Sequence, residues 1–315
     1  MEAIASATGI VLVKELARLG VNDAAYRKAS ARGELIRVHR GAYMDAGEWQ
    51  QLDRHERYRH RVIAALFASR GNPVASHVSA AALWRLPIIG QWPELVHVLT
   101  SRSTGTRTEN GFRRHAVDRE EVEVVELEGV RVTSLARTLL DLAATSTFAS
   151  AVASVDYALR HKPTTTSALR RYFDALPDLR LRGRVNRVLD FATPLAGSPG
   201  ESLSRVNIHE LGFPAPELQV MFADRGGKIG DVDFWWRMAN LIGEFDGLVK
   251  YTRDEYTQGR SIQEIVIAEK VREDRLRALG PSVSRWLWGV ALRPRELYAH
   301  LSNAGLRPVR ASAQF

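Results

Sequence analysis

The stretch VLVKELARLGVNDAAYRKASARGELIRVHRGAYM, residues 11–44, decides how the N-terminal part of the chain is built. Residues 11–19 carry apolar side chains at helical spacing and stop at Gly20. Asn22 or Asp23 can cap a second helix that runs to about Arg32, where Gly33 ends it. Leu35 to His39 then alternates as a strand, Arg40-Gly41 turns the chain, and Ala42-Tyr43-Met44 returns. Helix, short glycine turn, helix and β-hairpin is the order of a winged helix-turn-helix. Its second helix carries Tyr26, Arg27, Lys28 and Arg32, and its wing carries Arg37, His39 and Arg40. Phosphate and base-edge donors thus fall on the two parts of such a motif that touch nucleic acid, so duplex DNA is the expected partner. On a protein-binding winged helix the same basic face would only be solvated.

Beyond this segment the pattern is mixed. Residues 53–69 read as one amphipathic helix, and Ser76 opens another that Pro87 ends. Leu95 to Thr100, Phe112 to Ala116, and Val122–Leu127 with Val130–Thr133 across Gly129 read as strands. Ser134 caps a helix through Ala143, and a further helix runs from Phe148 to Arg160. His77 and His115 stand isolated in this region and read as structural residues. A helical connector follows, basic with Arg170, Arg171, Arg180, Arg182, Arg184 and Arg187. Such a stretch either tracks a phosphate backbone or forms a solvated face.

From Thr193 the texture changes. Ser198 is a good N-cap, Pro199 suits the first helical position, and Glu201 sits where a capping-box acid belongs. That helix stops at Gly212. Strands are expected over residues 218–223, 231–236 and 241–246, a long charged helix over about 262–279, and a last strand over 283–288. Within this order Asp233, Glu244 and Asp246 form the chemical centre. Period-two geometry puts Glu244 and Asp246 on one strand face, with Asp233 on the preceding strand able to share it and Phe245 pointing the other way. Crowded carboxylates either take up protons or bind a cation. Hard oxygen ligands suit Mg²⁺ or Mn²⁺, which can activate water and stabilise a phosphodiester under attack. Lys250 could orient the water or polarise the phosphate, and Lys270, Arg272 and Arg275 could serve the same anion. The bland alternative is an acidic strand end paired with basic neighbours.

Composition sets limits. The 315 residues suit two or three compact domains, and 45% hydrophobic with 25% charged residues is ordinary for a globular chain. The absence of cysteine excludes disulfides, Cys-ligated zinc, iron–sulfur clusters and a thiol nucleophile. A formal net charge of +8 favours polyanionic partners. Met1-Glu2-Ala3-Ile4 has no basic leader character and no apolar run reaches membrane-spanning length, so a cytoplasmic location without membrane contact is expected. Neither a P-loop nor a His-Glu-x-x-His motif is present.

Two resemblances sharpen these expectations. Glu201-Ser202 with Arg205, Asp231-Val232-Asp233-Phe234, Gly243-Glu244-Phe245-Asp246-Gly247-Leu248-Val249-Lys250-Tyr251 and the run Glu269 to Leu276 resemble Vsr-like endonuclease domains of the PD-(D/E)xK superfamily, over about Ser198 to Trp288. The resemblance implies a restriction-endonuclease-like core, with Asp233 and Glu244 as metal ligands and Glu201 as a helix-borne acid. The superfamily expects lysine two residues after the strand glutamate. Asp246 stands there, so Lys250 would replace that lysine, or the domain would bind without cutting. Leu35 to Tyr43, Ala75 to Trp84 and Val132 to Ala143 resemble AbiEi-type antitoxins over about residues 8–160. That likeness implies a winged helix on operator DNA and a toxin protein partner encoded alongside.

The expected architecture is therefore a multidomain α+β and α/β chain: a winged helix-turn-helix over 1–46, an AbiEi-like α/β region over 47–160, a basic helical connector over 161–193, and a nuclease-like domain over 194–315. Its catalytic set would be Glu201, Asp233, Glu244, Asp246 and Lys250, and its metal set Asp233, Glu244 and Asp246. Two functions compete: a Mg²⁺- or Mn²⁺-dependent DNA endonuclease for defence or a toxin–antitoxin context, and an antitoxin-like repressor whose nuclease-like domain is inactive.

Overall fold

The computed structural model of the protein describes residues 8–18, 23–117, 122–176, 181–247 and 261–309. It is mixed α and β, with several small sheets. The chain forms two compact units: Met1–Ser146 with Ser167–Asn186, and Thr147–Thr166 with Arg187–Phe315.

The first unit begins with strand β1 (Val11–Leu12), helices α1 (Val13–Arg18) and α2 (Asp23–Ala31), and the hairpin β2 (Leu35–His39) and β3 (Ala42–Asp45). Val11 and Leu12 are not the start of a helix, as their spacing suggested. They pair with Tyr43 and Ala42 and add a third strand to the hairpin, in the order β1-β3-β2. Asp45 and Asp53 then cap α3 (Ala46–Gln51) and α4 (Arg54–Ala68), each carboxylate accepting from a backbone N–H in the first turn. Helix α4 buries Tyr58, Val62, Ile63, Ala64 and Ala65. The same core holds Ile10, Leu12, Val38 and Met44 from the N-terminal segment and Val96, Val98 and Val132 from later strands.

Helix α5 (His77–Leu83) precedes β4 (Val96–Ser101), β5 (Arg107–Glu109) and β6 (Phe112–Val117), in the order β4-β6-β5 with β4 and β6 parallel. The hairpin β7 (Val124–Leu127) and β8 (Val130–Thr133) turns at Glu128 and Gly129, both at positive φ. Ser134 caps α6 (Leu135–Thr145), and within it Arg137 pairs with buried Asp141 at 2.9 Å. His77 and His115 are not isolated in space, as they are in sequence: their rings stack with centroids 3.6 Å apart.

Three helices follow. Helix α7 (Phe148–His161) belongs to the second unit. Helix α8 (Thr166–Asp174) contributes buried Leu169 and Phe173 to the first, and α9 (Arg182–Phe191) spans the boundary. The region expected as a connector thus supplies helices to both units; Arg180 lies outside the described residues.

In the second unit, α10 (Pro199–Glu210) starts as its sequence foretold, with Ser198 accepting from the Glu201 N–H and Pro199 in the first turn. Strands β9 (Glu217–Asp224), β10 (Gly227–Trp236) and β11 (Leu241–Asp246) form an antiparallel meander. Helix α11 (Ile262–Ala278), opened by a Ser261–Glu264 capping box, returns the chain to β12 (Ser282–Leu287), which lies parallel to β11. Helices α12 (Trp288–Ala291) and α13 (Pro294–Asn303) follow beyond the last expected strand. One sheet face is aromatic: Phe234 stacks on Trp236 and on Trp286. Gly243 makes this approach feasible, because a Cβ there would sit 2.7 Å from Trp286 and 2.8 Å from Trp236.

Helix α7 is tied to α10 by a buried charge. Asp156 accepts from Arg205 at 2.9 Å, from the Ser202 hydroxyl at 2.8 Å and from the Thr193 N–H at 2.7 Å. Burial raises the Asp156 pKa, against the opposing pull of Arg205. Asp156→Ala would leave Arg205 buried without its counter-charge, a loss of about 3–5 kcal/mol. Urea unfolding should show a lower midpoint for that variant than for Asp156→Asn, which keeps one acceptor oxygen, for the Thr193 N–H or for Ser202.

Candidate functional site

Two places carry the side chains singled out by sequence, one in each unit. In the first, α2 presents Arg27 and Lys28 to solvent, with Tyr26 half-buried and its ring 6.4 Å from that of Tyr43 on β3. Arg37 on β2 and Arg40 at the hairpin turn are also exposed. Arg32 is exposed but engaged: its guanidinium holds Glu34 at 2.6 Å, which lowers the net charge of this edge. His39 is half-buried, and burial lowers its pKa despite the bond to the Arg40 carbonyl. The helix and hairpin therefore offer arginine and lysine donors on solvent-facing surfaces, as a phosphate backbone requires.

In the second unit the carboxylates do gather around one part of the sheet. Phe234 pairs with Gly243, so Asp233 and Glu244 come next along the same two strands. Asp233 accepts from the Phe245 N–H at 2.8 Å and from Gln219 at 3.1 Å. The same Gln219 amide donates to Glu201 at 3.0 Å, and Glu201 also accepts from the Gly197 N–H at 2.7 Å. Glu201 thus joins the set through Gln219, a residue that the sequence did not mark. It reaches Asp233 from α10, whose Gly200 allows close approach of Phe245: a Cβ there would lie 2.0 Å from the ring.

The crowding of charge is met by arginine. Arg272 on α11 grips Glu244 with two bonds, at 2.7 and 3.0 Å, and also donates to the Asp231 carbonyl. Arg285 on β12 grips Asp246 with two more, at 2.8 and 2.9 Å, and reaches Glu269 and Glu273. Planar guanidinium forks suit this bidentate pairing. The Asp246 bond holds the Arg285 pKa far above its ordinary range; burial opposes the Arg272 charge, but Glu244 and Glu269 outweigh it. Arg275, expected near the same anion, instead pairs with Asp224 at 2.6 Å. Lys270 is exposed, and Lys250 lies outside the described residues. Among the described residues no group of three or more His, Asp or Glu is placed to hold a metal ion.

Arg285 was missed from sequence, although a signal existed. It interrupts an apolar and aromatic strand, Val283-Ser284-Arg285-Trp286-Leu287, and a half-buried arginine there demands acidic neighbours. In register it faces Glu244 on the parallel strand. Chemically, the chain itself supplies the counter-charges of Glu244 and Asp246, while Asp233 and Glu201 accept from neutral N–H donors.

Arg285→Met should expose the repulsion. Asp246, Glu269 and Glu273 would lose their shared cation, at a cost of roughly 2 kcal/mol at neutral pH after allowing for solvent screening. In the native protein burial raises the Glu273 pKa, but Arg285 and Arg277 outweigh it and leave it lowered, so its stabilising share holds above the unfolded value and fades as pH falls through the folded one. The variant's deficit should therefore be largest near pH 7 and shrink below about pH 4, where carboxylates protonate. Thermal unfolding across pH 3.5–7.5 measures it.

Among known proteins, the family described as "Transcriptional regulator, AbiEi antitoxin" matches residues 1–44. No curated protein matches the chain. A solved structure, the RV2827C protein from Mycobacterium tuberculosis, is similar at 13% identity over 64% of this chain and 78% of that chain, with a TM-score of 0.37, too loose a likeness to assign the fold. Among the described residues no helix is long and apolar enough to cross a membrane. The functional likeness on record therefore rests on the N-terminal segment.

Proposed function

We propose that the chain is a cytoplasmic DNA-binding transcriptional regulator of the antitoxin type, using α2 and the β2–β3 hairpin as a winged helix on duplex operator DNA. The match of residues 1–44 to an antitoxin regulator family carries this reading. The exposed Arg27, Lys28, Arg37 and Arg40, with Tyr26 and Arg32 at the margin, support it by supplying phosphate and base-edge donors. A toxin protein encoded alongside is the corresponding protein partner. The second unit then serves as a Vsr-like, PD-(D/E)xK-type module that does not cut, a reading supported by Arg272 and Arg285, which occupy two of the three carboxylates that a metal would need, Glu244 and Asp246.

One observation favours a second reading. Glu201, Gln219 and Asp233 form a continuous hydrogen-bonded chain toward the strand that bears Glu244, an arrangement compatible with a Mg²⁺- or Mn²⁺-dependent endonuclease in which Asp246 and Lys250 complete the catalytic set. Incubating the protein with duplex and single-stranded DNA in Mg²⁺, Mn²⁺ or EDTA separates the two. The regulator reading expects EDTA-insensitive binding and no cleavage. Metal-dependent cleavage lost in Asp233→Asn and Glu244→Gln would establish the enzyme instead.

The interface has its own test. Each phosphate contact contributes about 0.9 to the slope of log affinity against log salt. Changing Arg27, Lys28 and Arg40 together to Ala should weaken duplex binding and flatten that slope by up to about 3. An unchanged slope in a titration from low to moderate salt would remove this face from the interface.

A further inference from the structure

The first unit holds a cluster of imidazoles that the regulator reading does not use. His97 on β4 and His115 on β6 lie on parallel neighbouring strands, and their rings share a hydrogen bond, His115 Nε2 to His97 Nδ1 at 3.0 Å, which a bound metal ion would replace. His77, at the start of α5, stacks on His115 with an interplanar angle of 15°. Behind it stands Asp141, whose carboxylate is 3% exposed. One Asp141 oxygen pairs with Arg137, while the other, Oδ2, has no hydrogen-bond partner among the described residues and faces His77 Nδ1 at 3.7 Å. His77 is also held at φ +52°, a left-handed conformation that side-chain-bearing residues rarely adopt and that tends to persist where a site requires it.

From this geometry we infer that His97 and His115 form a two-imidazole clamp for a divalent late transition-metal ion of the Zn²⁺, Ni²⁺ or Cu²⁺ class. Metal–imidazole bonds of about 2.0–2.1 Å place two adjacent ligand nitrogens roughly 3.0–3.4 Å apart, the separation of His97 Nδ1 and His115 Nε2. Imidazole nitrogen suits these ions, whereas Mg²⁺ prefers oxygen. Both rings are half-buried, and water would fill the remaining coordination positions. Burial lowers the pKa of both, to about 4 for His97 and about 3 for His115, leaving them in the neutral form that ligates. His77 packs behind them: its ring stacks flat on His115, and its Nδ1 is hydrogen-bonded with the Ser76 hydroxyl at 3.1 Å. Arg113 and Arg137 also face the cluster and oppose a cation. Asp141 offsets one of these charges through its pair with Arg137.

The full chain, freed of metal with EDTA and dialysed, provides the test. Zn²⁺ or Ni²⁺ should stabilise it saturably with one equivalent bound by calorimetry, and at 100 times the dissociation constant the folded-to-unfolded ratio should rise about 100-fold. Mg²⁺ should not act at this site. Cu²⁺ bound at one equivalent should give an electron paramagnetic resonance spectrum with coupling to two imidazole nitrogens. His97→Asn and His115→Gln should each lose the saturable response and the two-nitrogen signature, while His161→Gln in the other unit keeps both. The Cu²⁺ spectrum is read on folded protein, with circular dichroism as the check, so a change in stability cannot imitate the result. A Mn²⁺ response that disappears in Asp233→Asn would belong to the carboxylates of the second unit and leave this clamp unaffected. Absence of Zn²⁺, Ni²⁺ and Cu²⁺ binding, or binding unchanged in both clamp variants, overturns the proposal.

Discussion

A charge removed from water needs an opposite charge or a full set of donors close by, and this requirement organises both units. Arg137 with Asp141 inside α6, and Asp156 with Arg205 between α7 and α10, are buried pairs that hold their surroundings in a single arrangement. Such pairs add little net stability over apolar packing, yet breaking one is costly. They act as registration points. Asp156 in particular explains why Ser202 and Arg205 stand where they do on α10: both donate to it, so their place in the sequence follows from packing and not from chemistry at the neighbouring Glu201.

The same rule governs the carboxylates around β11. Charge repulsion among Asp233, Glu244 and Asp246 could be relieved by a bound cation, by protonation or by basic side chains, and here arginines provide the relief for Glu244 and Asp246. Asp233 is satisfied differently, by a backbone N–H and an amide. The three acids therefore sit in unequal environments despite their similar spacing. A divalent ion would have to compete with two bidentate guanidinium contacts, each fixed by its own helix or strand.

Much of this was legible in the sequence, where local rules act alone. The β2–β3 hairpin followed from alternation and Arg40-Gly41, the start of α10 from Ser198 and Pro199, and the common face of Glu244 and Asp246 from the period of a strand. What local rules could not reach was partnership. Val11 and Leu12 have helical spacing, and only the distant edge of β3 turns them into a strand. Arg272 and Arg285 were visible as basic residues, but their pairing with Glu244 and Asp246 depends on α11 returning the chain alongside β11. His97 carried no signal at all until β4 and β6 paired, and the apparent isolation of His77 and His115 was a property of the one-dimensional order.

The path of the chain between the units has a consequence for its synthesis. It crosses from one to the other three times, after residues 146, 166 and 186, so neither unit is a continuous stretch. A nascent chain emerges from its N-terminus, and the first unit lacks α8 until residue 174 has been made, after α7 has already appeared. Helix α7 must in turn wait for α10, nearly forty residues later, before Asp156 meets Arg205. During that interval its apolar residues, Val152 and Val155 among them, lack the packing that α10 supplies to this helix. Nascent chains in which α7 has left the ribosome and α10 has not should therefore be the stage at which this protein most needs a chaperone.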